Sequence, residues 1–297
     1  MLRIVKNNLL CWILLLGTFS WSWGEEPTHV RLAFSQASFP DVALQDVRTA
    51  LAIWGAEVTR NIKGVDKLST EIYPTLDGLV AAIRNGSIDL AILPSVDYFK
   101  VERQLDMELG FITDQGLSGN QRYLVVTQAS LAGVPLQELR GRRFSYMNRD
   151  QLGLLYFNGL LLKGGQPEMD RFFSSTEALA KGSQVLNSLY FGKADICLVT
   201  EDSYRTTVAM NPQIAKKVRI LFTSPDLHIG LAVYRKGYPG YLRRRIEAAV
   251  NNLRNYPRGA QILSLFQTTH IRPATEADLA STRKIYKEYR QMKGRLL

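Results

Sequence analysis

The 297-residue sequence predicts an α/β protein made of two α/β lobes with a hinge and an interlobe cleft. Two observations carry this. Strand-like apolar runs alternate with amphipathic helical stripes, an order that implies mainly parallel strands joined by right-handed crossovers. The alternation also stops near residue 115 and restarts near 120, so one chain builds two sheets and leaves a cleft between them.

The first 24 residues stand apart. Arg3 and Lys6 precede the apolar run LLCWILLLGTF, and Ser22 and Gly24 give a small-x-small exit before Glu25 and Glu26. This is the pattern of a cleaved secretory signal over residues 1–24, with an apolar core shorter than the roughly 20 residues a membrane span needs. Cleavage removes Cys11 and two basic residues, so the formal charge falls by two from +10 to +8 and Cys197 is left alone. A single cysteine allows no internal disulfide, and stability must come from core burial. A chain that is 46% hydrophobic can build such a core.

The first lobe takes residues 27–117. VRLAFS (30–35) is a strand that ends in the loop SQASFPD; Leu44, Val47, Leu51 and Trp54 then recur at helical spacing. Leu68 to Tyr73 is a second strand. Leu76, Leu79, Val80 and Ile83 form a second helical stripe, closed by Asn85-Gly86. SIDLAILP is a nearly continuous apolar run, as in a strand covered on both faces.

The second lobe takes 118–225. RYLVVTQ (122–128) and RRFSYM are strands, the latter running through a polar loop (Asn148, Arg149, Asp150, Gln151) into a helix over 152–162 that ends at Gly164-Gly165. Ser183 is expected to cap a helix through Phe191, and ADICLVT, with an inert Cys197, is a buried strand. RILFTSPDLHIGLAVYRKGYP carries two more strands. The last 60 residues read as helices without a sheet of their own, expected to pack back on the first lobe, so that 228–297 joins 27–117. The hinge crossings then fall near 116–123 and 221–228.

Basic residues cluster at Arg140, Arg142, Arg143, at Arg243 to Arg245, and in RKIYKEYRQMKGR. Leu242, Ile246, Ala249, Val250 and Leu253 keep helical spacing, which puts those arginines on a solvated face. No nucleic-acid motif accompanies the charge. His29, His228 and His270 are far apart with no carboxylate at metal-ligand spacing, so no metal is expected. No Gly-rich phosphate loop, nucleophile elbow or paired catalytic motif appears, so neither an enzyme nor a cofactor is expected.

Ligand chemistry is expected where strands run into helices, because a helix N-terminus offers unpaired N–H groups. At the loop 148–151 two readings stay open: Arg149 and Lys181 hold a carboxylate or sulfonate while Asp150 caps the helix, or Asp150 or Asn148 is a plain N-cap and Arg149 faces solvent. Asp97 and Tyr98 follow another strand end. Glu201, Asp202 and Tyr204 follow a third, where capping of the next helix is the simpler reading.

Four segments in order, LVAAIRNGSIDLAILPSVDYF, GVPLQELRGRRFSY, LYFGKADICLVTEDSY and VRILFTSPDLHIGLAVYRKGYP, resemble the phosphonate-type periplasmic substrate-binding proteins of ABC transporters. The resemblance spans about residues 30–255 and implies the type 2 periplasmic-binding architecture. It implies a cleft lined by Ser35, Ser38 and Phe39, by Pro94, Ser95, Asp97 and Tyr98, and by two helix N-termini of the second lobe. The matching positions there are Asn148, Arg149, Asp150, Gln151, Leu152 and Gly153, and Lys181 and Gly182 beside Ser183. His228 lies near Gly230 and Leu231, where the family holds a ligand's amino end. The family's Ser-Thr-x-Ser-Gly loop and Ser-His pair are missing, which argues against a phosphonate dianion. The implied protein is a monomeric, exported periplasmic protein that binds a small anionic or zwitterionic solute and serves an inner-membrane ABC permease. The alternative is a ligand-sensing or docking partner of a membrane sensor kinase.

Overall fold

The computed structural model describes residues 29–39, 43–61, 65–114, 119–255, 259–260, 263, 268 and 270–294. The expected leader, and residues 116–118 of the first hinge crossing, lie outside the described residues. The order is β1 (His29–Ser35), α1 (Leu44–Asn61), β2 (Lys67–Tyr73), α2 (Leu76–Arg84), β3 (Leu90–Pro94), α3 (Ser95–Val101), β4 (Met107–Leu109) and β5 (Phe111–Thr113). There follow β6 (Asn120–Gln121), β7 (Tyr123–Gln128), β8 (Arg143–Met147), α4 (Gln151–Lys163), α5 (Met169–Phe172), β9 (Ser175–Leu179), α6 (Gly182–Tyr190), β10 (Ile196–Thr200), α7 (Glu201–Met210) and α8 (Gln213–Lys217). The chain continues through β11 (Val218–Thr223), β12 (Leu227–His228), β13 (Gly230–Arg235), α9 (Gly240–Asn251) and β14 (Ile271–Pro273) to α10 (Glu276–Gly294).

Two five-stranded sheets form, in the orders β2-β1-β3-β13-β4 and β11-β7-β10-β8-β9. In the first, β2, β1 and β3 are parallel and β13 runs antiparallel between β3 and β4. In the second, β9, β8 and β10 are parallel and β7 runs antiparallel between β10 and β11. The two sheets therefore share one strand order and one set of directions. Between them β6 and β12 pair antiparallel, Leu227 opposite Gln121 and His228 opposite Asn120.

Alternating side chains divide each sheet between two helical layers. Val30, Leu32 and Phe34 share one core with Val47 and Leu51 of α1 and with Leu242 and Ile246 of α9. Ala33, Ala91 and Leu93 face the other way, onto Leu79 and Ala82 of α2 and Phe99 of α3. In the second sheet Tyr123, Val125, Phe144, Ile196 and Leu198 pack on α4. Leu124, Val126, Cys197 and Val199 pack on Val185, Leu186 and Leu189 of α6 and Ile214 of α8. Cys197 is fully buried, and burial pushes its thiol pKa up, so it stays a protonated packing group.

Three expectations need correction. The C-terminal region does have a strand, β14, which pairs with β5. The last helix does not belong to the first lobe alone: α10 sets Leu279 into the first lobe's core, whereas Ile285, Tyr286 and Tyr289 pack into the cluster around α4. And Ser183 does not cap α6; the helix begins at Gly182 with Lys181 as its cap residue, because Gln184 Oε1 reaches back to the Lys181 N–H at 3.1 Å.

The interlobe cleft and its helix ends

The parallel strands of each lobe end on the edge where the next helix begins, so helix N-termini gather there. In the first lobe, β1 ends at Ser35, whose hydroxyl accepts the Ala37 N–H at 3.3 Å and caps a single 3₁₀ turn over Gln36–Ser38. Ser38 is buried beside it. At the end of β3, Ser95 opens α3 with both of its donors engaged: its N–H bonds to Ile229 O at 3.0 Å and its hydroxyl to His228 O at 2.6 Å. Ser95 thus pins α3 to the chain leaving the hinge.

Asp97 is 4% exposed and pairs with Lys100 at 2.8 Å, one turn along α3. The same Lys100 ammonium reaches Gln151 Oε1 at 3.2 Å, the first residue of α4. Val96 meanwhile packs in the α4 core with Tyr123, Leu152 and Tyr156. These contacts bring the start of α3 and the start of α4 together across the lobes. Tyr98, by contrast, turns into the first lobe's core beside Phe99, with the Arg283 guanidinium over its ring at 6.0 Å. Burial first, and then the Glu102 charge, hold its phenol pKa above the ordinary value.

In the second lobe, Asn148 leaves β8 with its N–H on Leu179 O at 2.8 Å. Arg149 is exposed and takes a left-handed backbone (φ 58°), the sharp turn that lets Asp150 fold back on the helix. Asp150 is the N-cap of α4. Its Oδ1 accepts the Gly153 N–H at 3.0 Å and the Tyr123 hydroxyl at 2.9 Å. A Cβ on Gly153 would lie 2.7 Å from Tyr123 Cε1 and 2.8 Å from Asp150 Oδ2, so only glycine lets the three groups meet. Tyr123 is buried, and burial together with the Asp150 charge drives its pKa well above the ordinary value. The hydroxyl therefore stays a donor to the carboxylate.

The neighbouring helix ends differ in charge. α7 is capped by the Thr200 hydroxyl, which accepts the Ser203 N–H at 3.2 Å, and carries Glu201 and Asp202 in its first turn. α6 has no acid in its first turn and has Lys181 beside it. Gly182 sits so close to α7 that an added Cβ would lie 2.4 Å from Ser203 Oγ. Ser183, one residue on, is exposed.

His228 is 2% exposed, in β12. Its Nδ1 lies 2.7 Å from Asn120 Oδ1 on the paired hinge strand, and its backbone N–H donates to Thr282 Oγ1 of α10 at 2.7 Å. Burial lowers its pKa, with Asp278 working upward and Arg272 downward, so the ring is neutral near pH 7. Among the described residues no group of three His, Cys, Asp or Glu side chains could hold a metal ion, and no helix is long and apolar enough to cross a membrane.

Sequence reasoning missed Lys100, Tyr123 and Thr282. Lys100 had a signal in its spacing of three from Asp97; the other two act on residues 27 and 54 positions away, and no local pattern announces them.

No curated protein matches the chain. Among solved structures, XAC2383 from Xanthomonas citri bound to ATP superposes with a TM-score of 0.66 at 14% identity, over 90% of this chain and 98% of that one. PhnD1 from Prochlorococcus marinus (MIT 9301) in complex with methylphosphonate gives 0.62 at 13% identity, over 90% and 99%. The periplasmic aliphatic sulphonate binding protein SsuA from Escherichia coli gives 0.52 at 13% identity, over 90% and 93%. These likenesses show the two-lobed fold. Residues 38–279 match the family described as ABC transporter, phosphonate, periplasmic substrate-binding protein, and the chain belongs to that family of periplasmic transport proteins.

Proposed function

We propose that the chain is exported by its leader, captures a small anionic or zwitterionic solute between its lobes, and delivers it as a monomer to an inner-membrane permease. One observation carries this reading beyond family membership: helix N-termini of both lobes meet across a paired two-strand hinge, with Lys100 of one lobe on Gln151 of the other. A solute at this place meets two sets of helix ends and is enclosed by hinge motion.

The charges on those ends select the solute. Asp150 already fills the start of α4, where a phosphonate dianion would stand against a carboxylate. The start of α6, with Lys181, Gly182 and Ser183 and no acid, suits an anionic group better. Asp150, at the start of α4, suits an ammonium group, whereas Asp97 is already neutralised by Lys100. A zwitterion with a carboxylate or sulfonate therefore fits better than phosphate or a simple phosphonate.

The test is the melting temperature of the protein against a panel of amino acids, sulfonates, carboxylates, phosphate and phosphonates. A solute at about 100 times its Kd stabilises the native state by about 2.7 kcal/mol, a readable shift. A zwitterion or sulfonate hit that is weakened by Lys181→Ala supports the reading. Silence across the panel sinks solute capture and favours the second reading, a docking partner of a membrane sensor kinase. That alternative draws on the same observation that Asp150 occupies the α4 end.

A further inference from the structure

We propose that α10 is a strap that sets the angle between the lobes: its N-terminal half is fixed to the first lobe and the hinge, and its C-terminal half is latched releasably to Glu168 of the second. The first attachment is apolar and deep. Leu279 is fully buried in the first lobe's core. Arg283 pairs with Glu102 just beyond α3, and its guanidinium lies 4.8 Å over the Phe99 ring. The second attachment is at the pivot itself, where Thr282, fully buried, accepts the His228 N–H from β12.

The third attachment is on the other lobe and is of a different kind. Lys293 Nζ lies 3.0 Å from both Glu168 oxygens, and the Tyr289 hydroxyl donates to Glu168 Oε1 at 2.5 Å. Burial works to raise the Glu168 pKa, but these hydrogen bonds and the Lys293 charge outweigh it and hold the pKa below the ordinary value. The pair is part-exposed, 31% at Glu168 and 43% at Lys293, so water competes for it and it can open at small cost. Between the attachments Tyr286 touches both lobes, its ring tilted against Phe99 at 5.4 Å while it packs in the α4 cluster.

Geometry makes the strap matter. With a rise of about 1.5 Å per residue, Lys293 lies about 16 Å along the helix from the pivot at Thr282. A change of about 20° in the lobe angle, with α10 riding on the first lobe, moves Lys293 by about 5 Å relative to Glu168. That displacement breaks a 3.0 Å pair. The lobes therefore cannot change angle while these attachments hold: the apolar packing of Ile285, Tyr286 and Tyr289 on α4 can slide, whereas the directional Glu168 latch must break.

Nitroxide labels at Thr49→Cys on α1 and Thr206→Cys on α7, both exposed positions, report the lobe angle in a Cys11→Ser background; buried Cys197 does not label. With the latch intact the distance distribution is narrow. Glu168→Gln, and separately Tyr289→Phe, should broaden it or shift its centre while the melting temperature moves little. An unchanged narrow distribution in both variants overturns the strap, as does a loss of lobe folding without any change of angle in the folded fraction. No solute is present, so the outcome is independent of what the cleft binds.

Discussion

The two lobes are built on one plan, and the places where they differ separate what sheet assembly requires from what it leaves open. In each lobe a helix closes on a glycine in the left-handed region, Gly86 (φ 73°) or Gly192 (φ 71°), and an aspartate stands three residues on, just before the next strand. Asp89 accepts the Arg31 backbone N–H at 3.0 Å, its Nε at 2.9 Å and its Nη2 at 2.8 Å. Asp195 accepts the same three groups of Arg143 at 3.0, 3.0 and 2.8 Å. The staple clamps β1 to β3 and β8 to β10 at the ends away from the helix N-termini. What differs is the antiparallel neighbour: β13 brings Arg235 onto Asp89 at 3.0 Å, whereas β7 brings Gln128, whose amide goes to Ala194 O instead. The first lobe's carboxylate is consequently buried between two arginines, whereas the second's has one arginine and is somewhat more open, 14% against 4% exposed.

At the opposite edge the likeness ends. The first lobe's β1 end carries a serine turn, and the matching β8 end carries the left-handed Arg149 and the Asp150 cap. The shared staple answers to sheet assembly; the unlike loops set different caps on the helical turns that follow them.

The largest effect that tests this comparison is Asp89→Ala. Removing the buried carboxylate strands two guanidinium groups and should cost about 3–5 kcal/mol, read in urea melts. Gly182→Ala comes next, at about 1–3 kcal/mol, because the added methyl meets Ser203 with nowhere to go. Asp195→Ala, the second lobe's counterpart of the first change, should cost about 2 kcal/mol; equal losses at Asp89 and Asp195 would remove the distinction drawn between the two staples.

A smaller effect belongs to the hinge. His228 has a folded-state pKa below its ordinary value of 6.5, so the folded state binds fewer protons than the unfolded one. Its contribution is present above pH 6.5 and is lost as pH falls toward the lowered pKa. The wild type should lose stability between pH 7.5 and 5.5, and His228→Gln should flatten that slope; Asp278 and Arg272, the charged groups that act on the ring, stay ionised throughout. Asp150→Ser exchanges one good N-cap for another but takes the acceptor from the buried Tyr123 hydroxyl, at about 1 kcal/mol. Its readout is affinity: with the carboxylate gone, phosphate or methylphosphonate should bind at least tenfold tighter, and no gain would mean that Asp150 does not set the charge preference of the α4 end.

Much of this was legible in the sequence. The stripe Leu76, Leu79, Val80, Ile83 and the run SIDLAILP gave α2 and β3 because helical and strand periodicities are local and each burial face repeats along the chain. Asp150 as a cap was readable for the same reason, since capping acts over three residues. Ser183 was misread because Gln184, one position on, supplies the reaching side chain and moves the helix start back to Gly182.

By itself, then, the sequence determined the two-lobed α/β fold and most of its principal strands and helices, because periodicity and capping are local. Only the tertiary structure decided that Tyr123 holds Asp150, that Lys100 spans the cleft and that α10 joins both lobes. Those contacts link Tyr123 to Asp150, Lys100 to Gln151 and Glu168 to Lys293. Side-chain chemistry at one end of such a pair does not depend on its neighbours in sequence, so no periodicity records it; folding alone brings the two ends within reach.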